Sequence, residues 1–277
     1  MKRKITLSLT FLMLGIAPIF GQDVSGFERV YYSAPNSVET DDYTLDVKNA
    51  VAQFDHCKLS MKITNNTTDF LLYKSKESKF KYPFGEKKPT VKPIYIKPNG
   101  SKTRTLQVNG GEQFLQQRFS VEMGGLYRIP LEGTVTEAPD FKLPASTNSF
   151  TVGDFKVVMK KYDASTREAK AVFECTYMGN DVAVVNPSNL SVRVISKKTN
   201  EELVYANDAK VTDPQILNKG DKIKFSATFH IEGRIVDMQF ATMHIVWNDT
   251  FAESEEIPLS AETMDFEMDE ELTRSKK

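Results

Sequence analysis

The sequence predicts an all-β protein made of two tandem antiparallel β-sandwich domains. Three observations favour this fold. Short segments alternate apolar and polar residues with the period of two that is typical of half-buried strands. Asn, Gly, Pro and Asp residues separate these segments at intervals of about ten residues. The same succession of segments occurs twice along the chain, which indicates an internal duplication.

The N-terminal end has the features of a secretory signal peptide. A short basic start, MKRK, precedes the apolar run ITLSLTFLMLGIAPIF, and the small residue Gly21 follows. We expect cleavage after Gly21, which removes three basic residues and changes the formal net charge from -1 to -4. An uncleaved membrane anchor is the alternative, but the run is shorter than the roughly 20 apolar residues of a membrane span and contains Pro18. The mature chain is therefore predicted to be extracytoplasmic (periplasmic, on the outer surface or secreted), without a transmembrane segment.

Residues 57–66, CKLSMKITNN, show the alternation most clearly. Apolar residues fill every second position, Lys, Ser and Thr fill the positions between them, and Asn65 and Asn66 supply a turn before the next strand. The same reasoning predicts a separate core for each domain. The predicted core residues are Leu59, Met61, Ile63, Phe70, Leu72 and Leu106 in the first domain and Phe173, Tyr177, Phe225, Phe229, Ile245 and Trp247 in the second.

The segment AVFECTYMGN, residues 171–180, repeats this pattern at an offset of 114 residues. Two further matches follow in the same order. Residues 94–108 match residues 215–229, and residues 119–131 match residues 240–259, where both members end in Ile-Pro-Leu. Three matches in one order indicate that one β unit is present in two copies.

The domain boundaries follow from composition. Residues 132–149 are rich in Pro, Ser and Thr and alternate poorly, which is typical of a linker. The predicted segments are the signal peptide (1–21), an N-terminal extension (22–41), the first sandwich (42–135), a linker (136–149), the second sandwich (150–260) and an acidic C-terminal tail or short helix (261–277).

The repeated pattern resembles the immunoglobulin-like sandwich modules of exported bacterial proteins of unknown function. The resemblance rests on an alternating strand, a turn reading NN or GN, an aliphatic or aromatic strand, and a later break reading Pro-Asn-Gly or Lys-Gly-Asp. It covers most of residues 42–260 and is of low specificity, because the two cysteines of an antibody-type domain are not found within one copy. It implies tandem immunoglobulin-like domains that serve in ligand binding, adhesion or spacing.

The chain has two cysteines, Cys57 and Cys175, one in each copy of the repeat. Both occupy inward-facing positions of their strands, so we expect each to be an unpaired thiol within its own core. A disulfide between domains or between molecules is the alternative in an oxidising compartment.

We predict no catalytic residues, no metal and no cofactor. The sequence contains no Gly-rich phosphate loop and no Gly-x-Ser-x-Gly, His-Glu-x-x-His or Cys-x-x-Cys motif. His56 and Cys57 are adjacent in a strand, where neighbouring side chains point to opposite faces. His230 and His244 have only Glu232 nearby as a further zinc ligand. The chain is therefore not expected to be an enzyme.

The charges are segregated along the chain. From Lys74 to Arg104 there are ten basic and two acidic residues, and we interpret this stretch as a candidate anion-binding face. Many lysines with few arginines suit diffuse attraction better than bidentate recognition. A solvated surface whose lysines discourage edge-to-edge pairing is the structural alternative. The candidate ligand-binding residues are Lys74, Lys76, Lys79, Lys81, Lys87, Lys88, Lys92, Lys102 and Arg104.

From Ala252 to Leu272 there are nine acidic residues and no basic one. Met264, Met268 and Leu272 recur at the spacing of one helical stripe, so a short docked helix competes with a frayed tail. A third interpretation is that this acidic segment contacts the basic face of the first copy, within the chain or in a neighbouring molecule.

These observations predict an exported, non-catalytic binding or structural module of the bacterial cell envelope. Its partner would be an envelope protein or an anionic surface polysaccharide, and not a nucleic acid. The alternative function is an envelope glycan hydrolase whose carboxylates come from separate strands and leave no local motif. A partner strand that pairs with an exposed sheet edge is a third alternative.

Overall fold

The computed structural model describes Val24, residues 26–110 and residues 113–276. The chain is all-β, as predicted: the described strands form six antiparallel sheets, and helices are few and short. The predicted signal peptide and its cleavage position lie outside the described residues.

Eleven strands precede residue 130. They are β1 (Val30–Tyr31), β2 (Val38–Glu39), β3 (Tyr43–Ala52), β4 (His56–Asn65), β5 (Phe70–Tyr73), β6 (Lys79–Tyr82), β7 (Gly85–Lys87), β8 (Ile94–Ile96), β9 (Ser101–Asn109), β10 (Arg118–Met123) and β11 (Leu126–Ile129). A 3₁₀ helix at Ser75–Glu77 separates β5 from β6.

Fourteen strands and one α-helix follow. The strands are β12 (Thr134–Val135), β13 (Phe141–Leu143), β14 (Ser149–Val152), β15 (Phe155–Ala164), β16 (Glu168–Tyr177), β17 (Val182–Val185), β18 (Ser191–Ile195), β19 (Glu202–Ala206), β20 (Gln215–Leu217), β21 (Lys222–His230), β22 (Met243–Val246), β23 (Phe251–Ser254), β24 (Ile257–Pro258) and β25 (Glu262–Glu267). The helix α1 is Glu270–Ser275, and a 3₁₀ helix at Pro187–Asn189 lies between β17 and β18.

The strands assemble into two units with the same strand order. In the first unit one layer is the sheet β1-β3-β4-β9, with β2 also on β3, and the facing layer consists of the sheets β25-β10-β6-β7 and β24-β11-β5-β8. In the second unit the layers are β14-β15-β16-β21, and β13-β22-β18-β19 with β12-β23-β17-β20. The order from β3 to β11 therefore recurs from β15 to β23, which agrees with the duplication inferred from the sequence.

Each unit has its own apolar core between its layers. In the first unit Leu59 and Met61 of β4 pack with Met264 and Phe266 of β25. In the second unit the core includes Phe173, Tyr177, Phe225, Phe229, Ile245 and Trp247, as predicted. Alternate side chains of the long strands enter these cores because successive residues of a strand point to opposite faces.

A pair of glycines allows one layer of the first unit to bend between its two sheets. Gly124 and Gly125 join β10 to β11, and Gly125 has a positive φ of 81°. A Cβ atom at Gly125 would collide with the backbone oxygen of Lys74. The chain therefore needs glycine here, both for the backbone angle and for the close approach of the 3₁₀ turn.

The two units exchange edge strands. After β11 the chain enters the second unit, where β12 pairs with β23 and β13 pairs with β22. After β23 it returns to the first unit, where β24 pairs with β11 and β25 pairs with β10. β23 is the counterpart of β11. The two strands that follow β11, β12 and β13, therefore complete the second unit, and the two strands that follow β23, β24 and β25, complete the first.

This exchange corrects two sequence-based predictions. Residues 136–149 are not only a linker, because β13 lies within them and pairs with the second unit. Residues 261–277 are not a tail, because β25 occupies Glu262–Glu267 and only α1 is helical. Burial decides the second case: Met264 and Phe266 alternate with exposed acidic residues and fill the first core, so the period is two and not four.

The junction between the units is apolar at its centre. Phe70 and Leu72, predicted as core residues of the first domain, instead pack with Ile129 and with Val182 of the second unit. Leu71 and Tyr73 take the inward positions of β5. Two polar contacts flank the centre: Tyr95 donates its hydroxyl to Asn218 Oδ1 (2.7 Å), and Lys97 forms an ion pair with Asp213 (2.8 Å).

The alignment of the two copies also needs a correction. Tyr43 pairs with Asn65, and its counterpart Phe155 pairs with Tyr177, so the second copy lies two residues closer than the predicted offset of 114. A shift of two residues leaves the alternation unchanged, so the pattern alone did not distinguish the registers. The two Ile-Pro-Leu sequences are not equivalent, since Ile129 ends β11 and Ile257 begins β24.

Cys57 and Cys175 are free thiols, each buried in the core of its own unit, as predicted. Burial raises the pKa of each thiol to about 12. Both are therefore protonated at physiological pH.

Candidate functional site: a basic edge on the first unit

The structure distributes the nine predicted basic residues over several elements. Three of them are held by carboxylates. These ion pairs are Lys74–Glu256, Lys79–Glu86 and Lys81–Glu122. The partner of Lys74 comes from the acidic C-terminal stretch, so this stretch contacts one of the nine basic residues within the same chain. A lysine with such a partner has less charge to offer a ligand than one without.

Five others are exposed and form no ion pair within the described ranges. Lys76 lies on the 3₁₀ helix Ser75–Glu77. Lys88 and Lys92 lie between β7 and β8, and Lys102 and Arg104 lie on β9. The ninth residue, Lys87, is half-buried on β7.

Four of these residues lie on or between the strands β7, β8 and β9. The strands β7, β8 and β9 are each the terminal strand of a sheet, and β8 leads into β9 through the short turn 97–100. In the second unit Asp208, which follows β19, bonds to Thr228 of β21. Because β19 and β21 are the counterparts of β7 and β9, we infer that β7 and β9 border the same side of the first unit. We call the residues Lys88, Lys92, Lys102 and Arg104 on this side the basic edge.

The two basic residues of β9 point toward the core side of their sheet. Lys102 lies opposite Ile63 and Arg104 lies opposite Met61, and both of these partners are fully buried. Directly opposed residues of an antiparallel pair project from the same face. Lys102 and Arg104 are nevertheless exposed, so they project from the open side between the two layers.

The counterpart positions in the second unit are apolar. Lys102 corresponds to Ile223 and Arg104 corresponds to Phe225, and Phe225 is buried in the second core. A positive edge is therefore a property of the first unit only. The side chains around the second edge are mixed in charge, with Glu168 and Asp208 beside Lys170, Lys210 and Lys224.

His230 joins two carboxylates at this second edge. Its Nδ1 lies 2.7 Å from Asp208 Oδ2 and its Nε2 lies 2.8 Å from Glu168 Oε2. The hydrogen bonds with Glu168 and Asp208 raise the pKa of His230 above its ordinary value. Within the described residues, no group of three or more His, Cys, Asp and Glu side chains is arranged to hold a metal ion.

Carboxylates from separate segments meet at the crossing of the chain between the units. Glu132, Asp181, Glu253 and Glu255 line an open groove of about 540 Å³. Tyr177 donates its hydroxyl to Glu253 Oε1 (2.9 Å), and burial together with this carboxylate raises the pKa of Tyr177. The groove is the feature that a carboxylate-based hydrolase would need.

The Asp55-His56-Cys57 sequence does not assemble a nucleophile and base. His56 Nδ1 lies 2.8 Å from Asp55 Oδ1, on the outside of the sheet. Cys57 points into the first core and is fully buried. The strand geometry therefore separates the thiol from the imidazole, as the alternation predicts.

The inward direction of Lys102 and Arg104 was not predicted, although the sequence carries the signal. In KTRTLQV both residues share the phase of Leu106 and Val108, which are buried. Two charged residues at alternating positions that are otherwise apolar indicate that the core ends at this part of the strand.

The chain matches no known protein family model and has no significant match among curated proteins. None of the helices in the described part of the chain has the length and apolar character required to cross a membrane.

Proposed function

We propose that the protein is an exported, non-catalytic binding module of the bacterial cell envelope, which holds an anionic ligand or partner at the basic edge of its first unit. The observation that carries the proposal is the side formed by β7, β8 and β9. It presents Lys88, Lys92, Lys102 and Arg104 to solvent, with no carboxylate partner among the described residues.

The proposal includes two tandem immunoglobulin-like sandwiches as the framework. Its support is the recurrence of one strand order in two layered units, each with its own core. The apolar junction and the exchanged strands join the units through several elements, which favours a fixed relative position. A stiff framework suits a module that displays a binding edge at a fixed place.

Export is supported by the N-terminal sequence, which resembles a signal peptide up to Gly21. Outside the cytoplasm, a basic surface meets anionic polysaccharides and acidic envelope proteins rather than nucleic acid. Lysine-rich attraction of this kind is long-ranged and weakened by salt.

The test is retention of the chain on an immobilised anionic polysaccharide in a salt gradient, together with capture of envelope proteins. The test variant replaces Lys88, Lys92, Lys102 and Arg104 by Glu. The matched control replaces Lys156, Lys170, Lys222 and Lys224 of the second unit, all exposed, by Glu. We expect the test variant to lose retention and capture while the control keeps both. Equal behaviour of the two variants, which have the same net charge, would refute the basic edge.

The acidic groove favours a second candidate function, hydrolysis of an envelope glycan by carboxylates from separate strands. It would be revealed by new reducing ends when the chain is incubated with cell-wall glycan. Release that survives both Glu253→Gln and Asp181→Asn would argue against this groove as its source.

A further inference from the structure

Strand β9 ends its sheet with one side of its backbone unpaired. Asn65 N donates to Gly100 O, and Gly110 N donates to Asp55 O, which fixes the hydrogen-bonding parity of the β4–β9 pair. In an antiparallel pair, residues alternate between facing the partner strand and facing away from it. The backbone N–H and C=O groups of Ser101, Thr103, Thr105 and Gln107 therefore point away from β4. Within the described ranges, no residue bonds to these groups.

Part of the same edge is covered in the second unit. Asn207 Oδ1 accepts from Thr228 N (2.9 Å), Asp208 N donates to Thr228 O (2.8 Å), and Asn207 Nδ2 donates to Ser226 O (3.1 Å). Thr228 and Ser226 are the counterparts of Gln107 and Thr105. The second unit therefore covers these two positions with one backbone and two side-chain hydrogen bonds from its own chain, whereas no described residue bonds to the outward-facing backbone groups of Lys222 and Lys224, the counterparts of Ser101 and Thr103.

The described residues of the first unit provide no corresponding bonds, and the connection at this place is shorter. Residues 88–93 join β7 to β8, whereas residues 207–214 join β19 to β20. The longer connection supplies Asn207 and Asp208. In the first unit none of the residues that the structure describes bonds to the outer side of β9, which is bordered by the basic edge.

The inward charges of β9 determine which strand could fill this place. Lys102 and Arg104 direct their backbone groups toward β4, so with a strand added on the other side of β9 they would form non-hydrogen-bonded pairs. The side chains of such a pair lie on the same face and are closer together than those of a hydrogen-bonded pair. A second copy of β9 would bring its own Lys and Arg to this face, and like charges in such positions repel. A strand with carboxylates at every second residue would instead meet both cations.

We infer that β9 is the acceptor of an extended acidic peptide segment from another protein, which adds to the sheet as an antiparallel strand and places alternate carboxylates on Lys102 and Arg104. Backbone hydrogen bonds to Ser101, Thr103 and Thr105 would hold the strand, and the two cations would select its sequence. This inference rests on the proposed function and specifies the ligand class at the basic edge.

The test uses the full chain and short synthetic peptides. Four peptides are used. The first alternates Glu with Thr, and the second and third have the same sequence with N-methyl groups on the amides of the Thr residues or of the Glu residues, which lie on opposite edges of an extended strand. The fourth alternates Lys with Thr. The chain variants are Lys102→Glu with Arg104→Glu, and, as a control with the same change of charge on the outer face of β21, Lys222→Glu with Lys224→Glu. Binding is followed by fluorescence anisotropy, and amide hydrogen exchange of β9 is followed by NMR.

We expect the Glu–Thr peptide to bind the native chain and the control variant alike. The Lys102→Glu, Arg104→Glu variant should bind it roughly tenfold or more weakly, which is a loss of about 1.4 kcal/mol or more of binding free energy. The charge-reversed variant should prefer the Lys–Thr peptide. Exchange of the Ser101, Thr103 and Thr105 amides should slow on binding, and at least one N-methylated peptide should not bind.

Equal binding of both N-methylated peptides and the unmodified peptide would overturn strand addition, because charge alone would then explain binding. The proposed anionic ligand would survive that result. Loss of binding to every anionic probe, the immobilised polysaccharide included, would instead remove the proposed function itself. The N-methyl comparison is made on the native chain, so it does not depend on whether a variant folds.

Discussion

Phe266 stacks on Phe119, with ring centroids 4.6 Å apart and an interplanar angle of 4°. The two residues are also directly opposed in the pairing of β10 with β25. Phe119 belongs to the first copy of the repeat, whereas Phe266 follows the whole of the second copy. The last strand of the chain is therefore part of the first core, and the first unit is complete only when the second has been made.

Substitution Phe266→Ala should destabilise the first unit by about 3–5 kcal/mol, because it removes a fully buried ring and leaves a cavity beside Phe119. Asp265→Ala, on the same strand but exposed, is the control and should change stability by about 0.5 kcal/mol or less. Urea unfolding followed by circular dichroism measures both. A loss for Phe266→Ala no larger than that of the control would show that β25 does not stabilise the first unit.

The length of a strand decides whether it could be predicted from the sequence. Strands such as β4 and β16 have ten residues each, so their alternation is long enough to identify them and to predict most of both cores. The strands β12, β13 and β24 have two or three residues each, which is too short to show a period. Their pairing depends on long-range contacts and could not be predicted from local pattern.

The candidate site was predicted in composition but not in geometry. Sequence reasoning identified the basic stretch, yet the ion pairs of Lys74, Lys79 and Lys81 involve carboxylates from the C-terminal stretch, from β7 and from β10. Only the fold brings these together. The open backbone of β9 is also invisible in sequence, because an edge is defined by which strands are absent beside it.

The stability of the second unit should fall as pH rises through the range in which His230 loses its proton. The hydrogen bonds of Glu168 and Asp208 raise its folded-state pKa above the ordinary value of 6.5. Their stabilisation is therefore fully present below about pH 6.5 and is lost as the pH passes the raised value. Because His230 is half exposed, the effect should be small.

Thermal unfolding between about pH 5.5 and about pH 8.5 tests this expectation. The native chain should show the decrease and His230→Gln should lack that component. His244→Gln serves as the control and should follow the native chain. The same pH profile for the native chain and His230→Gln would contradict the role of His230.

The two thiols should be inert while the chain is folded. Cys57 and Cys175 are fully buried, and burial raises the pKa of each to about 12, so the reactive thiolate is scarce and shielded. A thiol reagent such as 5,5′-dithiobis(2-nitrobenzoate) should label both cysteines promptly in denaturant and only slowly in native buffer. Prompt labelling of the native chain would show that at least one core opens readily.

The inward charges of β9 should also protect the chain from self-association. Replacing Lys102 and Arg104 by Val gives β9 the apolar character that Ile223 and Phe225 give to β21, but without the cover that Asn207 supplies there. An uncovered apolar edge is a template for pairing with another edge. We expect sedimentation velocity to show concentration-dependent association of this variant, while Lys222→Val with Lys224→Val, on the outer face of β21, remains like the native chain. If the β9 variant stays monomeric at every concentration at which the native chain is monomeric, charge is not what keeps the edge unpaired, and its short accessible length or its twist must be responsible instead.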